Sequence, residues 1–157
     1  MPDESLILLA HEVRGKTLRL LDGVTDAEAA FAPAGLNNTI LWHAGHALAV
    51  VERLSVVPAT GDVPSYPSGW FEMFGWKSEP ATVTNWPALS EVVQRLREQL
   101  PRLVRAIEAL SPDRLGSVLP NNRTLRYSIL HGLHDEAGHR GEIYLLRKMV
   151  RVEKPRL

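Results

Sequence analysis

The sequence predicts an all-α protein, a four-helix bundle with a long aromatic- and proline-rich connection between the second and third helices. Three observations carry this prediction. Four segments repeat apolar residues at helical intervals of three and four. Strand-like alternation is rare, and there is no internal repeat or low-complexity tract. Eight of the 22 prolines and glycines fall in a single stretch, too many for a long regular element there. At 157 residues the chain is expected to form one domain over 1–157, long enough to bury about two-thirds of the surface its unfolded form exposes.

The first helix is expected from Ser5 to Leu21, where Leu6, Leu9, Ala10, Val13, Leu18 and Leu21 recur at mostly helical spacing and Gly23 follows as a stop. Thr25-Asp26-Ala27-Glu28 reads as a capping box opening a short turn before Pro33 and Gly35. Asn37, Asn38 and Thr39 can all cap the second helix, expected over Ile40 to Leu54 and rich in alanine, leucine and valine. Between Val57 and Pro87, five prolines and three glycines exclude a long regular element, yet Trp70, Phe71, Phe74, Trp76 and Trp86 lie there too. Those aromatics must pack on something, so an ordered flap over one end of the bundle is expected. The third helix, Leu89 to Leu110, has the strongest period in the chain, and Pro101 inside it predicts a kink near Arg97. Ser111-Pro112-Asp113-Arg114 resembles a short helical start, and the fourth helix is expected from about Leu125 to Met149.

The 18 basic residues balance the 18 acidic ones, so no long-range field draws the protein to nucleic acid or to an anionic membrane. No apolar run is expected to approach the roughly 20 residues that cross a bilayer, and the start Met1-Pro2-Asp3-Glu4-Ser5 has no signal-peptide pattern. With no cysteine there is no disulfide framework, and the expected location is cytoplasmic.

Five of the six histidines fall in two runs, Trp42-His43-Ala44-Gly45-His46 and His131 to Glu142. Two such runs can face each other in a bundle. His131, Asp135 and His139 form one stripe on the fourth helix, with neighbours roughly 6 Å apart in rise, so Asp135 and His139 can share an ion. His131 and His139 are about 12 Å apart and cannot both reach an ion with bonds of roughly 2.1 Å, which leaves His131 beside the site. His134 and His139 converge only if a π-bulge intervenes. His43 and His46 lie within about 60° of one another, and the small neighbours Gly45 and Ala47 permit close approach at His46. Gly132, Gly138 and Gly141 each cost the helix about 1 kcal/mol relative to alanine, which fits close helix contact or clearance for a ligand.

Two stretches, Asn38 to His46 and His134 to Ile143, resemble the DinB-like (DinB/YfiT-type) superfamily of metal-binding four-helix bundles, and the helix order and long second connection extend the resemblance over nearly the whole chain. Members usually hold a divalent ion with one histidine of the second helix and two of the fourth, four residues apart. Carried onto this chain, the resemblance implies His46, Asp135 and His139 as metal ligands, with His43, His131 and His134 as alternative or outer residues. The chain departs from the pattern in having Asp135 where a histidine is usual, the histidine having moved to His134.

Two imidazoles and a carboxylate suit zinc, nickel, iron or manganese and leave positions open for water or substrate. The function so implied is a metal-dependent transferase, working with a low-molecular-weight thiol, or a hydrolase, acting on a small molecule through a metal-activated water or thiolate. No serine or cysteine nucleophile motif competes with this. Glu136 and Glu142 are candidate acid or base groups, and Trp70, Phe71, Phe74 and Trp76 candidate pocket walls. The alternatives are a non-catalytic metal-binding or stress-response bundle, and an interaction module that forms homodimers through the exposed faces of the first and third helices.

Overall fold

Asp3 starts the first helix: its carboxylate accepts from the Leu6 N–H, 3.1 Å away, and α1 runs Glu4–Leu21. The computed structural model describes residues 1–152, and residues 153–157 of the domain expected over 1–157 lie outside the described residues. Thr25 and Glu28 form the expected capping box at the head of α2, Asp26–Ala29. Thr39 caps α3, Ile40–Val51, by accepting from the Trp42 N–H. Two further long helices follow, α6 (Leu89–Glu108) and α8 (Leu125–Val152), with short α7 (Pro112–Gly116) between them. The described residues are all-helical, apart from one isolated bridge between Val118 and Thr124.

The second helix does not end at Leu54. A π-helical segment, Glu52–Val56, and α4, Val57–Thr60, continue it without a break, so the first residues assigned to the breaker-rich connection are helical. Pro58 has no N–H to offer the Leu54 carbonyl four residues earlier, and the Ser128 hydroxyl of α8 donates to that carbonyl instead, at 2.6 Å. The extension also corrects the expectation about apolar length. Ile40–Thr60 is 21 residues long with a mean hydropathy of 1.2, enough by composition to cross a bilayer, but 83% of that window is buried inside the fold, as in a core helix. α6 likewise continues through Pro101.

α3 packs on α8, α6 and α5 (Trp70–Phe74), while α1 packs on α8 and α6. The aromatic connection is therefore a plug against α3. Phe74 is fully buried and Trp70 nearly so, Trp86 packs on Phe74, and Trp76 stays exposed. Gly45 makes this possible, since a Cβ there would collide with the Phe74 ring. Gly132 serves in the same way, because a Cβ would stand 2.6 Å from the Ser55 hydroxyl. Gly138 and Gly141, by contrast, have open space around them, so intramolecular packing does not account for them.

Two apolar clusters make the core. One gathers Trp42, Trp70, Phe74, Val92 and Ile143; the other gathers Leu6, Leu103, Ile107, Ile129 and Leu133. Buried polar residues separate them on the long helices. Arg14 of α1 donates two hydrogen bonds to the Glu136 carboxylate of α8, at 2.8 and 2.9 Å, and others to Leu96 O and to Gln99 of α6. Gln99 in turn donates to Glu52, which also accepts from Arg102. This layer crosses the protein beside the two histidine runs.

Candidate metal centre

α3 is buried at every position, so both of its histidines point into the protein, each only 5% exposed. The inward stripe of α8 passes through Leu133, Glu136 and Ile143, and His139 lies in the interval between the last two. One turn earlier, on the flank of the stripe, is Asp135. Packing α3 on α8 therefore brings His46, Asp135 and His139 together.

Asp135 Oδ2 is 3.5 Å from His46 Nε2 and 3.6 Å from His139 Nε2, and one donor atom from each of the three residues falls within 4.8 Å of the others. Those separations are long for hydrogen bonds. They match two ligands bound to one ion, since bonds of about 2.1 Å at tetrahedral angles hold their donor atoms about 3.4 Å apart. The Asp135 Oδ2 atom is shielded from solvent and has no hydrogen-bond partner, a costly state for a carboxylate oxygen unless a cation stands in front of it.

The remaining ring nitrogens are occupied. His46 Nδ1 is 2.6 Å from the Phe74 carbonyl, which can only accept, so Nδ1 carries the proton and a neutral ring leaves its Nε2 lone pair toward Asp135. His139 Nδ1 lies 2.7 Å from His43 Nδ1, one donating and the other accepting. Trp42 stacks on His46 with ring centroids 4.6 Å apart and meets His43 and His139 edge-on, while its Nε1–H donates to Ser78 Oγ at 2.9 Å.

Burial lowers the pKa of His139, with His46 adding to the effect. Burial works to raise that of Asp135, but the imidazoles of His46 and His139 outweigh it and the net shift is downward. Burial, then His139 and His46, pushes His43 from 6.5 down to about 3. A histidine that titrates at 6.5 when unfolded and near 3 when folded takes up its proton first in the unfolded state. The stability tied to His43 is thus complete above pH 6.5 and lost as the pH falls from there toward 3. Urea midpoints for the metal-free protein should decline across that window, and His43→Leu should flatten the decline. An unchanged profile in the variant would count against His43 as its source.

The other sequence candidates separate clearly. α8 remains α-helical from Leu125 to Val152, so no π-bulge turns His134 inward, and His134 is exposed. The π segment lies on the opposite helix. His131 is exposed and stacks on Tyr127, with centroids 5.8 Å apart. Glu136 is committed to Arg14. Of the aromatics, Trp76 lines a cavity of about 370 Å³ together with His46 and Asp135, whereas Trp70 and Phe74 belong to the core and the Phe71 ring packs on Trp76, centroids 4.8 Å apart. A second cavity, of about 460 Å³, is lined by His43, His139 and Glu142. The buried layer of Arg14, Gln99 and Glu52 was not among the sequence candidates, although each sits where an apolar period calls for a hydrophobic residue.

The sequence profile of the DinB superfamily matches residues 9–143. The fold is similar to that in the crystal structure of a conserved protein from Enterococcus faecalis, with a TM-score of 0.68 and 19% identity over 98% of this chain and 99% of that one. No curated protein matches the sequence.

Proposed function

Because the chain belongs to the DinB superfamily and carries a His–Asp–His group that could hold a metal ion, we propose that it is a divalent-metal-dependent enzyme, a transferase working with a low-molecular-weight thiol or a hydrolase. His46, Asp135 and His139 are the ligands. The observation that carries this reading is the shielded, unpartnered Asp135 Oδ2 facing two imidazole nitrogens. Zinc, nickel, iron and manganese all accept such a set.

A divalent ion in this position supplies Lewis-acid chemistry, lowering the pKa of water from 15.7 to about 7 or holding a thiol as its thiolate. The chain's own residues prepare the place. The Phe74 carbonyl fixes the His46 tautomer. With His139 donating its Nδ1 proton to His43, the Nε2 lone pair of His139 is likewise free, and burial of His43 as a neutral ring suits it to accept. Trp42 and Phe74 keep water from the back of His46. Only the Asp135 and His139 side remains half-exposed, at 27% and 21%, so a substrate arrives from there.

Elemental analysis of protein purified without a histidine tag tests the reading. About one divalent ion per chain is expected, removed by a strong chelator and regained on dialysis against zinc. Protein that neither retains nor regains an ion would overturn it. Stoichiometric metal without turnover on thiol and ester panels would instead favour the non-catalytic binding role.

A further inference from the structure

The cavity beside Asp135 and His46 carries a feature that the metal alone does not use. Tyr127, His131 and Asp135 stand on successive turns of α8 and all line it, so it extends about 12 Å along the helix. At the far end from Asp135, the Arg123 guanidinium lies over the Tyr127 ring, 4.4 Å from its centroid, and His131 stacks on the same ring. Trp76 contributes an exposed aromatic wall. Arg123 is exposed and, among the described residues, pairs with no carboxylate. Among the described residues, Asp135 is the only acidic one lining the cavity. Once its charge is matched by a divalent ion, the cavity carries an excess of positive charge that a ligand must answer.

We propose that this cavity binds an elongated small molecule with a carboxylate at one end, paired with Arg123, and a thiol at the other, directed at Asp135 and His46. The thiol end rests on the reading of His46, Asp135 and His139 as the metal site. The Arg123 end stands on the cavity alone. Guanidinium and carboxylate match in shape and can pair through two parallel hydrogen bonds. The aromatic walls take an apolar midsection, and the length along α8 fits an eight-carbon chain. A short acid would satisfy one end only.

The test uses octanoate, octanol and their ω-mercapto derivatives on the purified protein, metal-free and zinc-loaded, with binding followed by tryptophan fluorescence and calorimetry. Octanoate should bind the metal-free protein about tenfold or more tightly than octanol. In Arg123→Gln the two should bind alike, with the affinity for octanol and the thermal unfolding unchanged. Zinc should then tighten the mercapto acid further in both proteins. Equal binding of octanoate and octanol to the wild type, or an acid preference that survives in Arg123→Gln, would overturn the Arg123 subsite. A preference that follows Arg123 while zinc, retained by the protein, has no effect on the mercapto acid would uphold that subsite and sink the thiol end, whereas protein that takes up no zinc would sink the metal reading on which the thiol end rests.

Discussion

Arg14→Ala is expected to destabilise the protein by about 3–5 kcal/mol, because it leaves the Glu136 carboxylate buried without its partner. Both side chains are essentially inaccessible, at 2% and 0%. Arg14 also satisfies the Leu96 carbonyl and Gln99, so its loss strands acceptors on two helices at once. A double replacement, Arg14→Met with Glu136→Leu, removes both charges and should cost less than Arg14→Ala alone. Guanidinium denaturation at neutral pH measures all of these. A loss under about 1 kcal/mol for Arg14→Ala would place the pair in the range of exposed ion pairs and refute its burial. Because zinc stabilises only what it binds, the comparison is made on metal-free protein.

The same layer shows what periodicity reveals and where it stops. On α6 the buried positions Leu89, Val92, Leu96, Leu103 and Ile107 follow a strict helical rhythm, and Gln99 occupies the one beat that is not apolar. Arg14 interrupts the stripe of α1 and Glu136 that of α8 in the same way. A polar residue on a buried stripe must find a partner, and Arg14, Gln99 and Glu136, on three different helices, are a readable signal. The partners themselves depend on how the helices are placed side by side, which no local pattern specifies. The π segment left a fainter trace. Pro58 announced a lost hydrogen bond, but the Ser128 hydroxyl that replaces it lies 74 residues from the Leu54 carbonyl it serves.

The candidate centre was legible to different degrees on its two helices. On α8, spacing alone put Asp135 and His139 on one face and His131 out of reach, because that helix has a buried and an exposed side. α3 has no such contrast, being buried all round, so helical spacing left both His43 and His46 able to point inward, and only the small neighbours Gly45 and Ala47 and the family resemblance favoured His46. Their roles follow from where Phe74 and His139 stand: Phe74 takes the Nδ1 of His46, and His139 takes the Nδ1 of His43.

The second large effect is expected at the ligands. Asp135→Ala and His139→Ala should each reduce bound metal from about one ion per chain to near zero after exposure to a weak chelator, since either change leaves two donors where three are needed. His43→Ala removes an outer partner and should weaken binding by about 10–100-fold without abolishing it. His134→Ala should change nothing, because that ring faces solvent. Asp135→His places two histidines four residues apart on α8 and should retain the ion. Asp135→Asn separates a metal site from a cluster held by hydrogen bonds. The amide keeps the shape of the carboxylate and can offer an N–H to either imidazole, so a metal-free cluster would tolerate it or gain stability, whereas a site that relies on an anionic oxygen loses its ion. Equilibrium dialysis with zinc, read beside unfolding midpoints, distinguishes the two. Retention of the ion in Asp135→Asn together with its loss in His134→Ala would mean that the ligand is the neighbouring histidine and that α8 is not regular at this turn.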